Sequence, residues 1–156
     1  MTESVLAQRI LHLEDIEAIE TLTARYAHAV NKGPNGKGVD LAAIPQIFTA
    51  GARWSSDGMG TTVGAAAIAA ELPTATAMVE FSMHAFLNPV ITVDGDSASA
   101  SWLLWIASVI DRRPAAVYLS ADLAYLRTAD GWRIDAVSIR DGLRIPSPPI
   151  DDARSA

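Results

Sequence analysis

Apolar side chains at Leu6, Ile10, Leu13, Ile16, Ile19, Leu22, Tyr26 and Val30 recur every three or four positions, with charged residues between them. That spacing predicts an amphipathic helix from Thr2 to about Lys32. The stretch NKGPNGKG (31–38) has four Gly or Pro in eight residues and predicts a loop. VDLAAIPQIF predicts a second, short helix with Asp40 as its N-cap and Pro45 near its middle or end. ARWSSDGMGTTVG predicts a strand, a glycine turn and a shorter strand; AAAIAAELP predicts a helical turn or two that stops before Pro73.

After that the texture changes. SMHAFLNPVITVDGD, SASASWLLWIASVID, AVYLSADLAYLRT and GWRIDAVSIRD predict four long strands. Asp94-Gly95-Asp96, Arg112-Arg113-Pro114 and Asp130-Gly131 punctuate them as turns. Helices first and an antiparallel meander afterwards make an α+β fold, with the helices on one face of the sheet. One domain over 1–145 is expected, followed by a Pro-rich tail over 146–156 that holds Pro146, Pro148 and Pro149. Trp102, Leu103, Leu104, Trp105 and Ile106 are consecutive, so this strand is apolar on both faces. One face meets the helices, and the other meets a partner subunit or lines a cavity.

Composition narrows the function. The net charge of −6 argues against a nucleic-acid surface. No apolar run is long enough for a membrane span. The opening MTESVLAQRILHLEDIEAIE carries acids where a secretory signal has a basic end, and the chain has no cysteine, so a cytoplasmic protein is expected. The glycine-rich nucleotide fingerprints and the Gly-x-Ser-x-Gly elbow are both missing. Only three histidines are present, and no two stand at metal-ligand spacing; no metal and no cofactor are expected. His12 and His28 lie among polar neighbours of the first helix. His84 instead sits within the apolar run FSMHAFLNP (81–89), either as a satisfied core residue or as a base facing a hydrophobic pocket.

The order of LEDIEAIETLTARYAHAVNKG, RWSSDGMGTTVG, SMHAFLNPVITVDGD and TADGWRI resembles the SnoaL-like branch of the NTF2-like superfamily over roughly residues 10–141. The resemblance implies a cone, in which a strongly curved antiparallel sheet wraps the helices and encloses a pocket. The layout is similar to the cofactor-independent lyases of that branch: scytalone dehydratase, bile acid dehydratase and hexachlorocyclohexane dehydrochlorinase. Trp54, Gly58, Gly60 and Thr61 are similar to a tryptophan and Gly-x-Gly-Thr turn of the last of these.

By this resemblance His84 takes the place of a histidine that removes a proton from carbon. Asn31 takes the place of the helix-end carboxylate that orients it, and Tyr26 that of a pocket tyrosine. Asn31 can accept a hydrogen bond from the imidazole but carries no charge. It is equally suited to capping the helix, and Tyr26 to core packing. Trp54, Phe86, Trp105 and Val137 are expected in the pocket wall, and Asp141 reaches inward only if no bulge shifts its strand.

The function implied is a dehydratase, related elimination lyase or isomerase acting on a hydrophobic small molecule. The alternatives are a binding or interaction module on the same fold, and an epoxide hydrolase, which would need a cluster such as Asp135, Arg140 and Asp141. A homo-oligomer is expected, a trimer by resemblance to the lyases rather than the dimer of other branches.

Overall fold

The computed structural model describes residues 2–33 and 36–149. Helix α1 (Glu3–Val30) follows the apolar stripe, but only its second half is core: Ile19, Leu22, Thr23, Tyr26, Ala27, Ala29 and Val30 are buried. Leu6, Ile10 and Leu13 share the stripe and remain exposed. The N-terminal half of α1 is tied down near its middle by polar contacts. Asp15 forms an ion pair with Arg127 at 2.8 Å and accepts a hydrogen bond from the Trp132 indole at 3.0 Å. The Arg127 guanidinium lies 4.4 Å from the centre of the Trp132 ring. Hydrogen bonding to Arg127 holds the Asp15 carboxyl below its usual range.

Helix α2 (Ile44–Ile47) is shorter than the sequence predicts. Pro45 stands in its first turn rather than its middle, the position where a missing N–H costs nothing. Asp40 accepts from the Ala43 N–H at 3.2 Å and so caps the turn leading into it. Strands β1 (Phe48–Ser56) and β2 (Gly60–Val63) form the expected hairpin. Helix α3 (Ala65–Ala75) runs through Pro73 instead of stopping before it. Its last turn is held from outside: the Thr76 N–H and hydroxyl both bond Leu72 O, at 2.9 and 2.7 Å, and Lys32 Nζ bonds Thr76 O at 2.8 Å.

Strands β3 (Val79–Asp94), β4 (Ser97–Ile110), β5 (Arg113–Thr128) and β6 (Gly131–Pro146) form the long meander. The turn between β4 and β5 is Asp111-Arg112, at φ 50° and 58°, so Arg113 and Pro114 belong to the strand and not to the turn. Pro146 pairs with Ala115 and ends β6, one residue into the expected tail; residues 150–156 of that tail lie outside the described residues. The six-stranded sheet has the order β2-β1-β6-β5-β4-β3. It is mixed rather than wholly antiparallel, because β1 runs parallel to β6. Among the described residues no helix is long and apolar enough to cross a membrane.

The core between helices and sheet contains a chain of hydroxyls with every proton placed. Thr23 Oγ1 donates to Ile19 O at 2.9 Å, so the Tyr125 hydroxyl donates to Thr23 at 2.8 Å and accepts from the Trp102 indole N–H at 3.1 Å. Burial pushes the Tyr125 phenol up to about 12. Tyr125→Phe keeps the ring but strands the Trp102 N–H in the core. Unfolding in urea should show a loss of about 1–3 kcal/mol at unchanged m-value.

Candidate functional site

Between α1, α3 and the inner face of the sheet lies a cavity of about 240 Å³. Its walls are apolar: Val30 from α1; Ile68, Leu72 and Ala75 from α3; Phe86, Leu104, Ile106, Leu119 and Ile139 from the long strands. Into this lining project a few polar groups: Tyr26, His84, Trp54, Ser56, Thr62, Thr76 and Glu71. A small number of polar groups in an apolar enclosure is the usual composition of a small-molecule site.

Asn31 follows the last residue of α1 and has extended backbone (φ −70°, ψ 142°), so it leaves the helix without the left-handed turn of a glycine-type cap. The chain then pairs with β3. Lys32 N–H donates to Ser82 O at 3.1 Å, and Ser82 N–H donates to Lys32 O at 2.8 Å. Gly33 makes that approach possible: with φ +112°, any Cβ there would stand 2.7 Å from Glu80 O.

This bridge brings Asn31 against His84, 53 positions along the chain. One oxygen, Asn31 Oδ1, accepts from the His84 backbone N–H at 2.8 Å and faces its ring Nδ1 at 2.9 Å. With the amide placed so that its oxygen receives the backbone N–H, Nδ1 must carry the ring proton. Nε2 therefore keeps a lone pair, and it has no protein partner among the described residues. Desolvation pushes the imidazole down to about 4, so it is neutral at physiological pH. His84 also borders a second, more polar hollow of about 350 Å³, shared with Glu20, Thr23, His28 and Trp102.

Tyr26 is held by its ring and by its oxygen. The ring meets Phe48 edge-on at 5.2 Å and Phe86 at 5.8 Å, and the hydroxyl accepts from the Trp54 indole N–H at 2.9 Å. Burial pushes the phenol up to about 12, against a smaller lowering by the Trp54 hydrogen bond. It is a neutral donor whose own proton is unclaimed by protein among the described residues.

A family model described as the SnoaL-like domain matches residues 11–138. The chain belongs to the SnoaL-like domain family. Solved structures agree on the fold. An NTF2-like protein of Novosphingobium aromaticivorans with a cystatin-like fold is 26% identical (TM-score 0.77, 90% of each chain covered). A candidate aromatic ring hydroxylase of the same organism is 25% identical (TM-score 0.76, 86% of this chain and 94% of that one). The hexachlorocyclohexane dehydrochlorinase of Novosphingobium barchaimii has a TM-score of 0.77 at 17% identity, over 89% of this chain and 94% of that one, which speaks for the fold alone. Among curated proteins none matches.

In this SnoaL-like domain His84, Tyr26, Trp54 and Phe86 line one cavity, with Asn31 behind the histidine. Three expected wall residues stand elsewhere. Trp105 is on the outer face, 39% exposed and stacked on Tyr118 at 5.9 Å, because Leu104 and Ile106 on either side of it point inward. Val137 is 1% exposed and packs in the core rather than in the cavity wall. Asp141 is exposed, beside a bulge where the β5–β6 register shifts between Tyr118 and Ser120, and its N–H bonds Asp57 at 3.0 Å.

The late-strand trio is likewise dispersed. Asp135 accepts from Thr49 at 2.6 Å, and Arg140 pairs with Asp122 at 3.4 Å. Among the described residues no Asp-Arg-Asp cluster faces the cavity. Among the described residues no group of three or more His, Asp or Glu is placed to hold a metal. Sequence reasoning missed α3 as a wall, although Ile68, Leu72 and Ala75 carry helical spacing and mark one face.

Proposed function

We propose that the cavity is the active site of a redox-neutral enzyme acting on a hydrophobic small molecule, with His84 as general base. The observation that carries this is the single Asn31 oxygen, which fixes the imidazole as its Nδ1–H tautomer and leaves Nε2 free to take a proton. Tyr26 donates to a substrate carbonyl oxygen next to the carbon that loses the proton, and so stabilises the developing enolate.

Dehydration and isomerisation suit this site better than loss of halide. A histidine held near pKa 4, beside an uncharged partner, is a poor resting place for a proton. The step is complete only when the proton moves on. In a dehydration the C–H pair forms the C=C bond, the C–O bond breaks, and the imidazolium gives its proton to the departing oxygen as water. In an isomerisation the same proton returns to another carbon. Among the described residues no Lys or Arg lines the cavity to receive a departing anion.

The test uses apolar β-hydroxy ketones in D2O followed by NMR. Deuterium entering next to the carbonyl, or loss of water, is expected. Saturable binding without either would favour the second reading, a non-catalytic binding module, which the uncharged Asn31 supports.

The chain also forms a homo-oligomer in this reading, with a trimer favoured. Trp105, Tyr118 and Leu143 make one apolar cross-strand row on the outer face, and Met83, Leu87, Leu103 and Ile145 flank it, all exposed. Light scattering should return a multiple of the 16.5 kDa chain mass, reduced to the monomer by Trp105→Glu with Leu103→Glu.

A further inference from the structure

The cavity's charge is one-sided. Among the described residues Glu71 is its only acidic residue and no Lys or Arg lines it, and the histidine is neutral. Glu71 comes from the second turn of α3 and is exposed. It is held in place from β2, where Thr62 Oγ1 donates to Oε2 at 2.5 Å. Its other oxygen, Oε1, has no protein donor among the described residues. Ser56 and Thr62 add two hydroxyls to the same cavity, on β1 and β2. His84 enters instead from β3, the opposite edge strand of the sheet. The cavity thus has a polar group at its β3 side and a polar, negative group at its β2 side, with aliphatic and aromatic walls between.

We infer that Glu71 is the specificity-determining residue of this cavity, selecting uncharged apolar molecules that carry a hydroxyl at the end remote from His84. The hydroxyl donates to Oε1, while an anionic group at that end meets a carboxylate with no cationic side chain beside it in the cavity lining among the described residues. Like-charge exclusion of this kind separates ligands of equal shape. The inference rests on the cavity being the ligand site, and it extends that reading by naming the substrate class and the residue that chooses it.

Two probes of similar shape decide it: 4-phenylphenol and biphenyl-4-carboxylate, titrated against the full chain at neutral pH. Trp54 lines the cavity and reports binding through its fluorescence. The wild type should bind the phenol about tenfold more tightly than the carboxylate. Glu71→Gln keeps an acceptor for Thr62 and should narrow the difference by relieving the carboxylate. Glu71→Lys should reverse the order. Unchanged melting temperatures in both variants establish that the fold is intact. Equal affinities for the two probes in wild type and Glu71→Lys would overturn the role of Glu71 while leaving the cavity as a binding site. Failure of every variant to bind either probe would overturn the cavity reading itself, and this inference with it.

Discussion

His84→Ala should lower kcat/KM by about a thousandfold on any substrate the wild type converts, with the melting temperature little changed. The magnitude is that of a positioned general base. The cause is the loss of Nε2, since Asn31, Tyr26 and the apolar walls all remain. Retained turnover in the variant would remove His84 from the mechanism.

The pH profile supplies a second and sharper reading. Burial lowers the imidazole from its ordinary 6.5 to about 4, so the neutral base persists to low pH. In the wild type kcat/KM should stay level from about pH 5 to 8 and fall only as the pH drops through about 4. An acid limb centred near 6.5 would mean that the ring is hydrated and the burial argument wrong.

The same group gives a test that needs no substrate. The unfolded chain protonates His84 near 6.5, while the folded chain resists until about 4. Between these values the unfolded state holds more protons, so stability falls as the pH falls. The loss is bounded at about 3 kcal/mol. His84→Gln should flatten this part of the stability curve.

The second large effect should come from Asn31→Asp. Asn31 Oδ1 already receives the His84 backbone N–H and faces Nδ1, so a carboxylate oxygen fits the same place without rebuilding the site. What changes is charge. A carboxylate against Nδ1–H stabilises the imidazolium, raises the histidine from about 4 towards its ordinary range, and makes Nε2 a stronger base. In serine proteases the reverse change, Asp to Asn, costs about 10⁴ in turnover.

The expected result is therefore a gain of at least about tenfold in turnover at neutral pH, together with an acid limb shifted upward. Asn31→Leu should lose most activity, because nothing then holds the tautomer. If Asn31→Asp is slower than wild type and its acid limb does not move, the uncharged partner is what this chemistry requires. A step in which charge never accumulates on the imidazole would have that property.

The long elements were readable because their periodicity is strong. The three-to-four spacing through Val30 and the punctuated strands after Ser82 both correspond to elements of the fold. His84 was conspicuous as a rare polar residue in an apolar run. Its contact with Asn31 was suggested only by resemblance, because 53 residues separate them and the bridge of Lys32 to Ser82 has no local signature.

Other details depend on tertiary structure. A run of five apolar residues does not reveal which of Leu104 and Trp105 points inward. The bulge beside Gly142 undoes parity for Asp141, where a Cβ on the glycine would meet Tyr118 O. Pro73 stays inside α3 because Lys32, from another element, secures the following turn. Glu71 in an alanine-rich helix looks like an ordinary solvated residue until β2 is folded against it.

The socket around Asn31 has a consequence for heredity. Asparagine and aspartate codons differ by one first-position base, and the receiving groups, the His84 backbone N–H and Nδ1–H, accept either side chain. If His84 is the base proposed above, a single point mutation at Asn31 is expected to change its strength while the apolar lining of the cavity stays as it is. The charged and the neutral partner are then one base change apart, on a socket that has the same shape for both.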